Sequence, residues 1–157
     1  WYLVDIKIGI IFSLIGLLII GHVIYKEHID REIILALLLA LIITSYYTYE
    51  YTSLNIYIGK INVFPLVSWI AVFVVLREFY KKIPLEKIYK FLIASCTYIV
   101  ILFVLEAMGY YFLNIQLASH YPSLFGLGII HAPLGMKFFY LTAGPLYLIL
   151  TEFLKVK

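Results

Sequence analysis

The stretch Ile88–Leu113 reads IYKFLIASCTYIVILFVLEAMGYYFL. From Phe91 to Leu105 it carries no charge, and it exceeds the roughly 20 mainly apolar residues that one helix needs to cross a bilayer. Four more runs of the same character lie on either side of it: Ile8–Tyr25, Ile33–Tyr49, Ile61–Tyr80 and Pro133–Leu154. The 157-residue chain is 64% hydrophobic and 13% charged, with a mean hydropathy of +1.02. A soluble domain is about 45–50% apolar and about 25% charged. Composition thus excludes an ordinary soluble domain and a disordered chain, and a lone cysteine, Cys96, excludes a disulfide scaffold. The reading is all-α: a polytopic integral membrane bundle of five transmembrane helices in one domain over residues 1–157, with no room for a soluble catalytic domain. The chain opens on Trp1 rather than Met. Its first apolar run is long enough to span and lacks a small-residue cleavage site, so it reads as a span and not a signal peptide.

Placement of the positive charges orients the bundle. Lys26 and Arg31, then Arg77, Lys81, Lys82, Lys87 and Lys90, then Lys155 and Lys157 all fall on one side, nine of the twelve Lys and Arg. Lys7 and Lys60 fall on the other, and Lys137 falls inside the fifth span. The positive-inside rule makes the nine cytoplasmic, with the N-terminus outside and the C-terminus inside, as an odd number of spans requires. The expected location is the cytoplasmic membrane of a prokaryote.

Two patterns bear on packing. Residues 75–82 (VLREFYKK) and 149–155 (ILTEFLK) share aliphatic-Leu-x-Glu-Phe-x-Lys, so 33–82 and 88–157 can be a duplicated hairpin, although anchors of this kind are general at membrane interfaces. Small residues allow close helix approach at Ala36 and Ala40 and at Gly9, Ser13 and Gly16. Cys96 reads as a packed small side chain, and Gly144-Pro145 as a kink in the fifth span that frees a carbonyl near Tyr140–Leu141.

Glu32, Glu78 and Glu86 lie beside basic residues and read as solvated, and Glu152 as snorkelling with Lys155. Glu106 differs, because it lies about 8–10 Å below the outer end of its helix, where a charge costs a few kcal/mol unless paired or neutralised. Lys137 lies at about the same depth in the next span, which predicts a Glu106–Lys137 pair. Glu50, Asn55, Asn114, His120 and His131 gather toward the same outer half. The tyrosines there, among them Tyr46, Tyr47, Tyr49 and Tyr51, form an interfacial belt or a cavity wall with hydroxyl donors. The candidate catalytic residues are Glu106, Glu50 and His131, and the candidate ligand-binding residues are Lys137, Asn55, Asn114, Tyr110 and Tyr111. The connection Asn114–Ile130 has 17 residues and an apolar end, LFGLGII, that suits a segment lying on the membrane or dipping back into it.

No glycine-rich phosphate loop, His-Glu-x-x-His, Gly-x-Ser-x-Gly or paired aspartates occur, which disfavours nucleotide-driven, zinc-protease and aspartyl-protease chemistry. His22 and His28 lie on the opposite side from His120 and His131, so neither a four-histidine metal site nor a haem pair is expected. No cofactor and no nucleic-acid partner is implied. Three readings of function follow. The first is a lipid- or isoprenoid-handling protein with an outer-leaflet cavity and acid–base chemistry. The second is an accessory subunit of a larger membrane complex. The third is proton- or ion-coupled transport by an oligomer.

Overall fold

The computed structural model describes residues 2–24, 29–52 and 55–154, with side chains over 6–21, 31–52 and 55–154. Lys26, His28, Lys155, Lys157 and the side chain of His22 lie outside the described residues. The chain is mostly helical: α1 (Tyr2–Ile24), α2 (Ile29–Tyr46), α3 (Val63–Lys82), α4 (Lys87–Ala107) and α5 (Leu134–Phe153). A two-stranded hairpin, β1 (Tyr57–Ile58) and β2 (Ile61–Asn62), leads into α3. Asn62 caps α3, its side chain accepting from the Phe64 amide at 3.1 Å, and Lys81 and Lys82 complement the dipole at the far end.

Three segments are long and apolar enough to cross a membrane: Val63–Lys82, Lys87–Phe112 and Leu134–Phe153. That is consistent with an integral membrane protein. In α1 the described apolar stretch, Ile6–Gly21, is shorter, and α2 opens on Asp30, Arg31 and Glu32.

Helix α3 is the hub, packing against all four other helices. It is 56% buried along its span, against 17% for α4, which therefore presents most of its surface outward. Ala36 and Ala40 are fully buried and bring α2 tightly onto α3, as their spacing predicts. The small stripe of α1 does not do this. A side chain at Gly9 or Gly16 would meet nothing within 4 Å, because α1 buries Lys7 and Ile11 and turns its glycines away. Cys96 is likewise exposed on α4 rather than packed. Aromatic rings fill the centre: Phe73 stacks on Tyr147 with centroids 4.9 Å apart, and Trp69 meets both Phe73 and Tyr140 at 5.3 Å. Gly144 lies against the Tyr98 ring, whose hydroxyl donates to the Tyr140 carbonyl at 2.6 Å, next to the carbonyl that Pro145 leaves free.

The end of the bundle that carries Arg77–Lys90 holds a buried ion network, and here the sequence reading needs correction. Glu32 is not solvated. It is fully buried, with Lys81 at 2.7 Å and the Arg77 Nε at 3.3 Å. Arg77 also reaches Glu152 at 2.7 Å, Lys81 reaches Glu78 at 2.7 Å, and Lys87 reaches Glu152 at 3.1 Å. The network joins α2, α3, α4 and α5. Most of its pairs lie far apart in sequence, so neighbouring charges in the chain do not reveal it. Glu86 is exposed, as expected.

Candidate functional site

At the opposite end, two connections fold over the helices. Asn55 accepts from the Tyr51 amide at 3.0 Å, donates to the Tyr51 carbonyl at 2.9 Å, and accepts from Asn62 at 2.9 Å. Asn62 also donates to the Tyr49 carbonyl at 2.9 Å. These bonds tie residues 49–52 to 55–62 as a structured cover. The second connection joins it: Thr52 N–H donates to the Gln116 carbonyl at 2.9 Å, and Ala118 N–H to the Glu50 carbonyl at 2.8 Å.

Beyond Ala107 the helix widens into a π-turn, Met108–Phe112. Such turns are frequent at functional sites because they re-aim side chains. This one places Gly109 and Tyr110 in the wall of the same cavity as Glu106. The apolar stretch 124–130 turns its side chains in both directions. Leu124 and Ile130 are buried, whereas Phe125 and Leu127 project outward. Ile130 is held at φ 51°, a costly conformation for a β-branched residue, and it immediately precedes His131.

Beneath this cover is a cavity of ≈ 310 Å³. Its apolar walls come from Ile10 and Leu14 of α1, Pro65 and Val72 of α3, and Leu102 and Leu105 of α4. Its polar groups include Glu106, Tyr140, His131, Tyr110, Ser68, Gln116 and Tyr51, and among the described residues no Lys or Arg lines it. The Tyr140 hydroxyl neighbours the Glu106 carboxyl. Tyr140 in turn neighbours the Tyr49 hydroxyl, which accepts from the Trp69 Nε1 at 3.1 Å. His131 stacks on Tyr110 at 4.0 Å, and its Nδ1 is buried without a protein partner. Burial, and then the Lys137 ammonium, hold the His131 imidazole below its ordinary pKa of 6.5. A second hollow of ≈ 490 Å³ lies near the basic end between Phe91 and Leu148. It is more open, and its lining is almost wholly apolar.

Of the predicted site residues, the cavity gathers Glu106, His131 and Tyr110. Glu50 is exposed and gives only its backbone carbonyl to the cover. Asn55 is part of the loop framework, and Asn114 is exposed at φ 51°. Tyr111 is exposed and donates to the Gly128 carbonyl at 2.7 Å. The Glu106–Lys137 pair does not form. Lys137 sits one turn nearer the mouth than Tyr140, and its amine reaches up to the Ser123 carbonyl at 3.3 Å. Tyr140, which the sequence reading passed over inside Phe138-Phe139-Tyr140-Leu141, takes the place beside Glu106. Its spacing of three residues from Lys137 is the signal that puts it near the same helix face. Lys7 is buried, its amine 4.1 Å from the centroid of the Tyr51 ring, and does not line the cavity. Among the described residues no three of His, Cys, Asp and Glu come together. Comparison of the chain with protein-family models, curated proteins and solved structures finds no match in any of the three.

Proposed function

We propose that this chain is a five-span membrane protein, N-terminus outside, that handles a lipid or isoprenoid in an outer-leaflet cavity, with Glu106 as the proton donor or acceptor. The orientation rests on the basic residues at the Arg77–Lys90 end, which the positive-inside rule makes cytoplasmic. The observation that carries the function is the meeting, in one apolar cavity, of an acid beside the Tyr140 hydroxyl and an imidazole whose Nδ1 has no partner among the described residues. Acid–base chemistry needs such groups in a water-poor site, and a mostly apolar cleft with a few convergent polar groups is the usual form of a small-molecule site. His131, kept neutral by its surroundings, accepts a hydrogen bond at Nδ1 or relays a proton. Tyr110 and Tyr140 shape the chamber.

Native mass spectrometry of the gently extracted protein tests this reading. The wild type is expected to retain an apolar adduct that Glu106→Gln holds without turnover and that Leu102→Trp, which fills the chamber, expels. A protein that leaves the membrane free of lipid, in stoichiometric complex with other subunits, would instead make it an accessory subunit.

A further inference from the structure

Among the described residues, loop bonds and helix packing cover the cavity on most sides. The loop end is roofed by the bonds between residues 50–52 and 116–118. Helices α1, α2, α4 and α5 surround α3, and α2–α5, α4–α5 and α1–α2 pack on one another. Helices α1 and α4 both line the cavity yet make at most isolated contacts with each other. Leu105 lines the cavity and is nonetheless 50% exposed, which puts it on the rim of an opening. The opening between α1 and α4 faces the side of the bundle, where the membrane-spanning reading puts lipid.

The volume and lining limit what can enter. At ≈ 310 Å³ the chamber is at the small end of ligand sites, which run about 300–1,000 Å³. It has room for a head and the first part of a chain, and the remainder must trail out through the slot. Among the described residues no Lys or Arg lines it, and Glu106 is the one acid that does; the Lys7 amine is held over the Tyr51 ring, outside the lining. A phosphate or diphosphate head would meet a carboxyl with no cation in the lining to pair it.

We infer that the slot between α1 and α4 is a lateral entrance for a single-chain lipid with an uncharged oxygen head, an alcohol or carbonyl, which the Glu106, Tyr140 and His131 groups receive while the apolar chain runs out past Ile10, Leu14 and Leu105. This rests on the lipid-handling reading and adds the class of ligand and its path. A phosphorylated head is rejected, because an unpaired anion at this depth costs a few kcal/mol.

Two photoactivatable probes with the same diazirine-bearing C16 chain test it: the primary alcohol and its phosphate monoester, each added to the protein in lipid nanodiscs, with the labelled peptides read by mass spectrometry. The alcohol is expected to label α1 around Ile10–Leu14 and α4 around Leu105 at least roughly tenfold more than the monoester does, tenfold being 1.4 kcal/mol. Leu105→Trp and, from the facing wall, Leu14→Trp each block the slot and cut this labelling. Ile149→Trp, in the separate hollow beside α4, leaves it unchanged. Thermal midpoints of the three variants show that each is folded. Equal or stronger labelling by the monoester overturns the uncharged head and leaves the lipid cavity standing. Labelling that survives both blocking tryptophans overturns the lateral route. No labelling of α1 or α4 by either probe overturns the lipid-handling reading as well.

Discussion

Glu32 and Glu106 are both acids drawn into the bundle, and their partners differ in kind. Glu32 has two cations, Arg77 and Lys81, so its removal from water is offset by charge. Arg77→Met leaves Glu32 with Lys81 alone and Glu152 with Lys87 alone, and is expected to lower stability by about 3–5 kcal/mol. Adding Glu32→Gln should recover part of that loss, read as thermal midpoints in one detergent. Glu106 has a hydroxyl instead, and no contact with Lys137. A double-mutant cycle over Glu106→Gln and Lys137→Met should therefore add within about 0.5 kcal/mol, and a larger coupling would mean that the two do meet. His131 supplies the pH dependence. Its folded pKa lies below the unfolded 6.5, so the unfolded chain takes up a proton that the folded chain refuses. Stability from this group is complete above pH 6.5, falls as pH drops toward the folded value, and then levels. His131→Phe keeps a ring against Tyr110 and should flatten that part of the midpoint–pH curve.

Helix existence was legible in the sequence because each apolar run outlasts any turn, and α3 and α5 begin and end within two residues of the expected positions. What single runs do not encode is the face each helix turns inward. Ala36–Ala40 and Gly9–Ser13–Gly16 look alike as text, yet one seam is buried and the other is open. Lys137 and Glu106 match in depth, but a one-turn offset gives Tyr140 the place beside the acid. Glu106, His131 and Tyr110 were readable from chemistry at a given depth; Tyr140, Ser68 and Gln116 become site residues only through the meeting of distant segments. Gly144 is a point of close approach between α5 and α4. A Cβ there would lie 2.7 Å from the Tyr98 ring, so Gly144→Val should cost about 1–3 kcal/mol by overpacking. Tyr98→Leu in the same chain should return part of it, as thermal midpoints will show.

At the scale of the molecule, the two ends are chemically opposite. One is tied by ion pairs, and the other by backbone and amide hydrogen bonds over a hollow interior. The proposed orientation puts Lys82 in the cytoplasm and Tyr57 outside; both are exposed. With the exposed Cys96 first replaced by alanine, cysteines at 82 and 57 should react with an impermeant maleimide from opposite faces of sealed vesicles. Reaction of both from one face would remove the five-span arrangement and the outer-leaflet position of the cavity with it.

The ion network also has a consequence for how the protein is made. Glu32 enters with α2, but Arg77 follows 45 residues later, and the Glu152 that completes the network comes 75 residues after that. If α2 spans the membrane, as the five-span proposal has it, then while the chain is still on the ribosome α2 has to be released into lipid with a carboxylate whose partners do not yet exist, or be held by the insertion machinery until they do. Its polar first turn makes it a poor candidate for early release. Insertion of α2 is thus expected to depend on sequence far downstream. A cysteine in the middle of α2 should react with an aqueous maleimide in a chain stalled before residue 77, and should be protected once the whole sequence has been released.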